Sequence, residues 1–341
     1  MRATSFRLLT LLGFGITTAA EARAESSPSC VLQDVTAPAA NTEFFASASG
    51  GSATAKFTGA SLALRMSELP ADFASGARAR VETGDGKTPS IRVKGWASPN
   101  AFRYFAREHV PLAGVHGRLT KGLEIVPLAV REGALEFEHT ILGTRGADGG
   151  PMKLRGSLPC SAVALAPPGV DAAEPPKGAR WYHMRVATLR LFDKPQGNQV
   201  LEMRMDANAA RIFWSSEPPR AGWLHVISPG DVTLDGWVKQ VELETQPFAE
   251  VIDMQLLAPR PLASPNLALA EPPKTMTATV ELPILSKAET GAAPLGVVEV
   301  GATFYGMDVS TEWTSVVPTS LALMPVDGAG FWVKSASLPK P

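Results

Sequence analysis

The sequence predicts an all-β protein built from several small units in series. Three observations predict it. Apolar and polar residues alternate with period two, as in Leu135, Phe137, His139 and Ile141 against Glu136, Glu138 and Thr140, which gives a strand one apolar face. Turn signals recur between such runs, among them Gly84-Asp85-Gly86, Asp148-Gly149-Gly150 and Pro229-Gly230-Asp231. No capped stretch keeps a helical period for more than about two turns.

The chain opens on a targeting pattern. Arg2 and Arg7 precede an apolar stretch from Leu8 to Ala20, and Ala22-Arg23-Ala24 offers a small-residue cleavage site. Residues 1–24 therefore read as a secretory signal peptide. The stretch is too short to cross a hydrocarbon core of about 30 Å, so no permanent membrane anchor is expected. The expected location is periplasmic or secreted.

Composition narrows the function classes. The chain has 341 residues, 45% apolar and 19% charged, with a formal net charge of -1. That supplies apolar material for packed cores and no basic excess to neutralise phosphates, so a nucleic-acid partner is not expected. Thirty Gly and 29 Pro make the chain turn-rich, short of the roughly 25–30% typical of disordered low-complexity chains. The two cysteines, Cys30 and Cys160, both follow the signal peptide. In an oxidising compartment they are expected to form one disulfide, closing a loop of about 130 residues; the alternative is two buried free thiols.

One ending is written four times, as an extended stretch, a Gly, a bulky residue and a short tail. It reads Ile91-Arg92-Val93-Lys94-Gly95-Trp96, then Met152-Lys153-Leu154-Arg155-Gly156-Ser157, then Val232-Thr233-Leu234-Asp235-Gly236-Trp237, then Gly330-Phe331-Trp332-Val333. Pro-rich breaks fall between units, around Pro167, Pro168, Pro175 and Pro176 and again from Pro259 to Pro273; such stretches act as semi-extended spacers. The expected units are 25–100 (divergent), 101–166, 180–246 and 275–341, with linkers at 167–179 and 247–274.

The third unit resembles a bacterial SH3-like domain. The resemblance rests on Leu189-Arg190-Leu191-Phe192, the turn at Pro195-Gln196-Gly197, then Gly222-Trp223-Leu224-His225-Val226 and Gly236-Trp237-Val238. In that family the first Gly-Trp opens a central strand and the second opens a last strand after a hairpin. The other units depart from it: the second lacks the Trp, the fourth has Trp313 and Phe331-Trp332, and the first keeps only Gly95-Trp96. The resemblance implies tandem small barrels joined by Pro-rich linkers, with modules that bind peptidoglycan, peptides or other envelope partners. Gly95, Trp96, Trp223, Gly236, Trp237 and Trp332 are then structural, the glycine letting the chain turn and the indole plugging a small barrel.

No catalytic or cofactor motif stands out. The histidines His109, His116, His139, His183 and His225 are scattered singly, without zinc-site spacing, and no G-x-S-x-G elbow, Walker loop or dinucleotide fingerprint is present. No metal or cofactor is expected. The aromatic residues are the functional candidates: Trp214, ahead of the loop-like Ser215-Ser216-Glu217-Pro218-Pro219, as an exposed anchor, with Trp181 and Tyr182 beside the linker. The expected function is a non-catalytic binding or scaffolding protein of the bacterial cell envelope, whose partner is a cell-wall glycan or peptide or another envelope protein. The alternative is an envelope hydrolase with its catalytic residues in the N-terminal half and an SH3-like targeting domain.

Overall fold

The computed structural model describes residues 30–146, 148–171, 173–205, 211–246, 273–307, 309–326 and 329–338. The expected signal peptide and residues 247–272 of the second linker lie outside the described residues. The fold is all-β, as the alternation predicts. Among the described residues every helical segment is a 3₁₀ turn of three residues, and among them no helix is long and apolar enough to cross a membrane.

The first unit holds β1 (Leu32–Thr36), β2 (Glu43–Phe45), β3 (Ala53–Phe57), β4 (Leu62–Ser67), β5 (Ala79–Thr83) and β6 (Ile91–Ala97). The second holds β7 (Tyr104–Ala106), β8 (Val110–Pro111), β9 (Gly117–Leu119), β10 (Glu124–Arg131), β11 (Ala134–Arg145), β12 (Pro151–Pro159) and β13 (Val163–Ala164). In the third are β14 (Arg180–Met184), β15 (Thr188–Phe192), β16 (Gln199–Met205), β17 (Ile212–Ser215), β18 (Trp223–Ser228), β19 (Val232–Lys239) and β20 (Leu243–Gln246). The fourth has β21 (Lys274–Thr277), β22 (Leu282–Leu285), β23 (Pro294–Val298), β24 (Thr303–Met307), β25 (Trp313–Pro318), β26 (Leu323–Pro325) and β27 (Trp332–Lys334).

These strands form two antiparallel sheets, of 13 and 14 strands, and the sheets do not follow sequence order. The first unit joins the fourth: β6 pairs with β23 through Gly296 opposite Val93, and β3 pairs with β26 through Met324 opposite Lys56. The second joins the third, β11 pairing with β16 and β9 with β19. Among the described residues no sheet closes on itself into a barrel, and each sheet draws its strands from two units. The first Pro-rich linker is itself tied down, since Asp171 bridges Lys121.

The core is continuous across the units. Phe44 of β2 meets Phe57 of β3 at 6.1 Å and Phe331 of the fourth unit at 6.5 Å, both edge to face. The disulfide forms as expected, Cys30 to Cys160 with Cα atoms 5.4 Å apart. It reinforces a hydrogen-bonded seam, in which the Thr36 hydroxyl donates to the Leu165 carbonyl at 2.7 Å and Arg107 pairs with Asp34 at 2.9 Å.

The repeated ending has a common local structure. Each copy is a strand followed by a 3₁₀ turn, at Pro99–Ala101, Cys160–Ala162, Gln240–Glu242 and Ser335–Ser337. Counting back from each turn aligns Gly95, Gly156, Gly236 and Phe331, and then Trp96, Ser157, Trp237 and Trp332. The fourth copy therefore carries Phe331, not Gly330, at the glycine place. The roles expected of this pair need correction. The three glycines lie within strands and make no turn; a Cβ on Gly95 would overlap the Phe44 ring, and one on Gly156 would lie 2.5 Å from Phe137 Cζ. Because strand neighbours face opposite ways, a core-facing glycine puts the next residue on the outer face. Trp96, Trp237 and Trp332 are accordingly half-buried on that face and plug no barrel.

Candidate functional site

The site with the most unsatisfied chemistry lies on the outer face of the third unit. Register builds it strand by strand. Trp181 of β14 is directly opposite Trp214 of β17, Trp214 is opposite Ile227 of β18, and Ile227 is opposite Asp235 of β19. Two residues before Asp235 on the same face, Thr233 lies opposite Arg118 of β9. One row of side chains thus crosses from an indole pair to a carboxylate, with a hydroxyl and a guanidinium beside it.

Above this row is a cavity of about 680 Å³, lined by Trp214, Thr233, Arg118, Asp235, Ile227, Pro111, Gly117, His116 and, from the first linker, Ala173 and Glu174. The linker, expected from the sequence to be a semi-extended spacer, supplies a wall of this cavity. Trp214 and Thr233 are 7% and 5% exposed, and neither Trp214 Nε1 nor Thr233 Oγ1 has a hydrogen-bond partner. Buried polar groups are nearly always paired, and leaving one unpaired costs about 1–3 kcal/mol. Both donors belong to residues that line this cavity, and both atoms are themselves shielded from solvent.

The neighbouring side chains are held by an ordered chain of contacts. His225 Nε2 lies 2.6 Å from Asp235 Oδ1, and the His225 ring lies 5.1 Å from the Trp237 ring, tilted by 36°. The hydrogen bond to Asp235 raises the His225 pKa above its ordinary value, with burial opposing. At the far end, Phe192 meets Trp223 edge to face at 5.0 Å.

The expected site residues divide as follows. Trp181 and Trp214 come together as neighbours on one face, with Trp181 half-buried. Trp214 is not an exposed anchor: the run taken for a loop begins inside β17, all four residues of which are buried. Tyr182 is 6% exposed and pairs with the fully buried Phe213, so it belongs to the opposite, core face. Trp223 opens β18 and is buried, yet it shares the outer face with His225 and Trp237. Gly236 lies inside β19 and packs on Leu191 and the Phe192 carbonyl, each 3.2 Å from where its Cβ would stand. Sequence reasoning missed Thr233, Arg118 and Asp235. Strand parity would have placed Thr233, Asp235 and Trp237 on one face; Arg118 comes from another unit and left no local signal.

The histidines do not converge. His109, His139, His183 and His225 each sit near a different carboxylate, and no group of three potential metal ligands occurs among the described residues. His139 is half-buried, as its place on β11 predicts, and its two ring nitrogens meet the Glu124 carbonyl and Asp231.

No family model matches the chain, and neither a curated protein nor a solved structure matches it significantly.

Proposed function

We propose that the chain is an exported, non-catalytic binding protein of the bacterial cell envelope that holds a cell-wall glycan or peptide on the outer face of its third unit. In this reading the four units are diverged SH3-like modules whose sheets have opened to share strands with a neighbour. The observation that carries the binding role is the pair of partnerless donors, Trp214 Nε1 and Thr233 Oγ1, on residues lining one cavity, with Trp181 the register partner of Trp214. Acetamido and peptide carbonyls supply the acceptors such donors need, and an indole face suits a sugar ring or a peptide plane. Export is supported by the leader pattern of residues 1–24 and by the Cys30–Cys160 bridge, a bond that persists in oxidising compartments.

The test is retention of the mature protein on purified sacculi. Trp214→Phe keeps the ring and deletes the N–H; Thr233→Val keeps the shape and deletes the hydroxyl. Each is expected to weaken retention about tenfold, the equivalent of one lost hydrogen bond of 1.4 kcal/mol. Thr233→Val is also expected to stabilise the free protein, because it removes an unsatisfied buried group. Failure of the parent to bind sacculi, or retention of both variants equal to the parent's, overturns the proposal. Release of soluble muropeptides would replace it with the hydrolase reading.

A further inference from the structure

A second concave site lies at the seam between the first and fourth units. Along one edge, β6 changes partners: β23 pairs with Ile91, Arg92 and Val93, whereas β2 pairs with Trp96 and Ala97. At that change-over a cavity of about 570 Å³ opens, walled on one side by the β23 stretch Pro294–Val297. Its charged lining is Arg80, Arg92 and Lys94, its one aromatic ring is Trp96, and no carboxylate lines it.

The arrangement is ordered by register. Arg80 is directly opposite Trp96 across β5–β6, and Phe45 is opposite Trp96 across β2–β6. The Arg78 guanidinium caps the Phe45 ring at 3.2 Å. The row therefore runs cation, indole, phenyl, cation. Carboxylates outside the cavity hold the lining cations in place: Glu68 is 2.9 Å from Arg80, Glu82 is 2.7 Å from Arg92 and 3.5 Å from Lys94, and Glu299 is 3.0 Å from Arg92. The cations are pre-positioned, partly neutralised from behind, and turned towards a space that holds one indole.

We infer that this cavity is a binding site for an acidic polysaccharide, with a pyranose ring on Trp96 and the carboxylate of a uronic or similar sugar acid on Arg80 and Lys94. A planar guanidinium and an ammonium flanking an aromatic face match a ring that carries one anionic group. A polynucleotide also offers rings and anions, but its phosphate density calls for an unpaired basic surface. Here every lining cation has a carboxylate neighbour, and the whole chain is formally -1. This site is separate from the third-unit cavity and does not depend on it.

The experiment measures binding of the mature protein to oligogalacturonate by calorimetry, with neutral maltohexaose and a single-stranded oligonucleotide of equal charge as comparisons. Oligogalacturonate is expected to bind and maltohexaose not to bind. Trp96→Ala and the double variant Arg80→Gln with Lys94→Gln are each expected to lose about tenfold or more in affinity. Arg80 and Lys94 are about half exposed, at 48% and 50%, so the double variant keeps its fold and decides the matter if Trp96→Ala unfolds. No binding of oligogalacturonate, equal binding by the double variant, equal binding of maltohexaose, or tighter binding of the oligonucleotide would each overturn the inference.

Discussion

Gly156 and Phe137 face each other across β11–β12 at a separation that leaves no room for a methyl group. They are register partners, and a Cβ on Gly156 would lie 2.5 Å from Cζ and 2.8 Å from Cε1 of the phenyl ring. Phe137 is fully buried and has nowhere to retreat. Gly156→Ala is expected to destabilise the protein by about 1–3 kcal/mol through overpacking. Urea unfolding checks this. Adding Phe137→Leu should return part of the loss, because neighbours in contact are not additive; a fully additive pair would show that the contact is not the cause.

Asp231 is the second pressure point. It is 5% exposed at the seam of the second and third units, with His139 Nε2 at 3.1 Å and the buried Arg211 guanidinium at 3.7 Å. Arg211 also donates through Nε to the Ser228 hydroxyl at 2.7 Å. Asp231→Ala strands a guanidinium in the interior and is expected to cost about 3–5 kcal/mol. The readout is the denaturant midpoint. A loss below about 1 kcal/mol would place the Arg211 charge elsewhere.

The bridge between Cys30 and Cys160 spans 130 residues. Replacing both cysteines by Ala is expected to lower stability by about 2–5 kcal/mol, chiefly by releasing the unfolded chain. The hydrogen-bonded seam around Thr36, Leu165 and Asp34 remains, so the fold should persist. Comparing urea midpoints with and without reductant gives the same quantity on the unaltered chain, and identical midpoints would contradict it.

His225 sets a pH dependence. Its hydrogen bond to Asp235 raises the folded pKa above the ordinary 6.5, against opposition from burial. A raised histidine pKa contributes stability that is fully present below the unfolded value of about 6.5 and is lost as pH rises through the higher folded value. Asp235→Asn is expected to remove that component, flattening the stability profile on the alkaline side of pH 6.5. Proton NMR titration of the imidazole follows the same change directly; an unchanged midpoint in the variant would refute it.

The fold class was legible because period two is a local property. Leu135, Phe137, His139 and Ile141 declare β11 without reference to anything distant, and the repeated ending declares a recurrent strand-and-turn. The partnership of β6 with β23 was not legible, since it joins residues some two hundred positions apart and depends on Gly296 admitting the Arg92 backbone. The orientation of Trp96, Trp237 and Trp332 was legible in principle. Each follows a core-facing position by one residue, and alternation alone puts it outside. Trp214 misled because the polar run after it reads as a loop, whereas β17 extends through Ser215 and is covered on both faces.

The pairing of β3 with β26 has a consequence for how such a chain reaches its final form. Ribosomes deliver the N-terminus first, so the β3 edge has no partner until Leu323–Pro325 has been made. For most of its synthesis the polypeptide carries an open hydrogen-bonding edge, the feature that invites adhesion between molecules. Closing that edge must wait for a segment synthesised 270 residues after its partner, as the pairing of Ala55 with Pro325 requires.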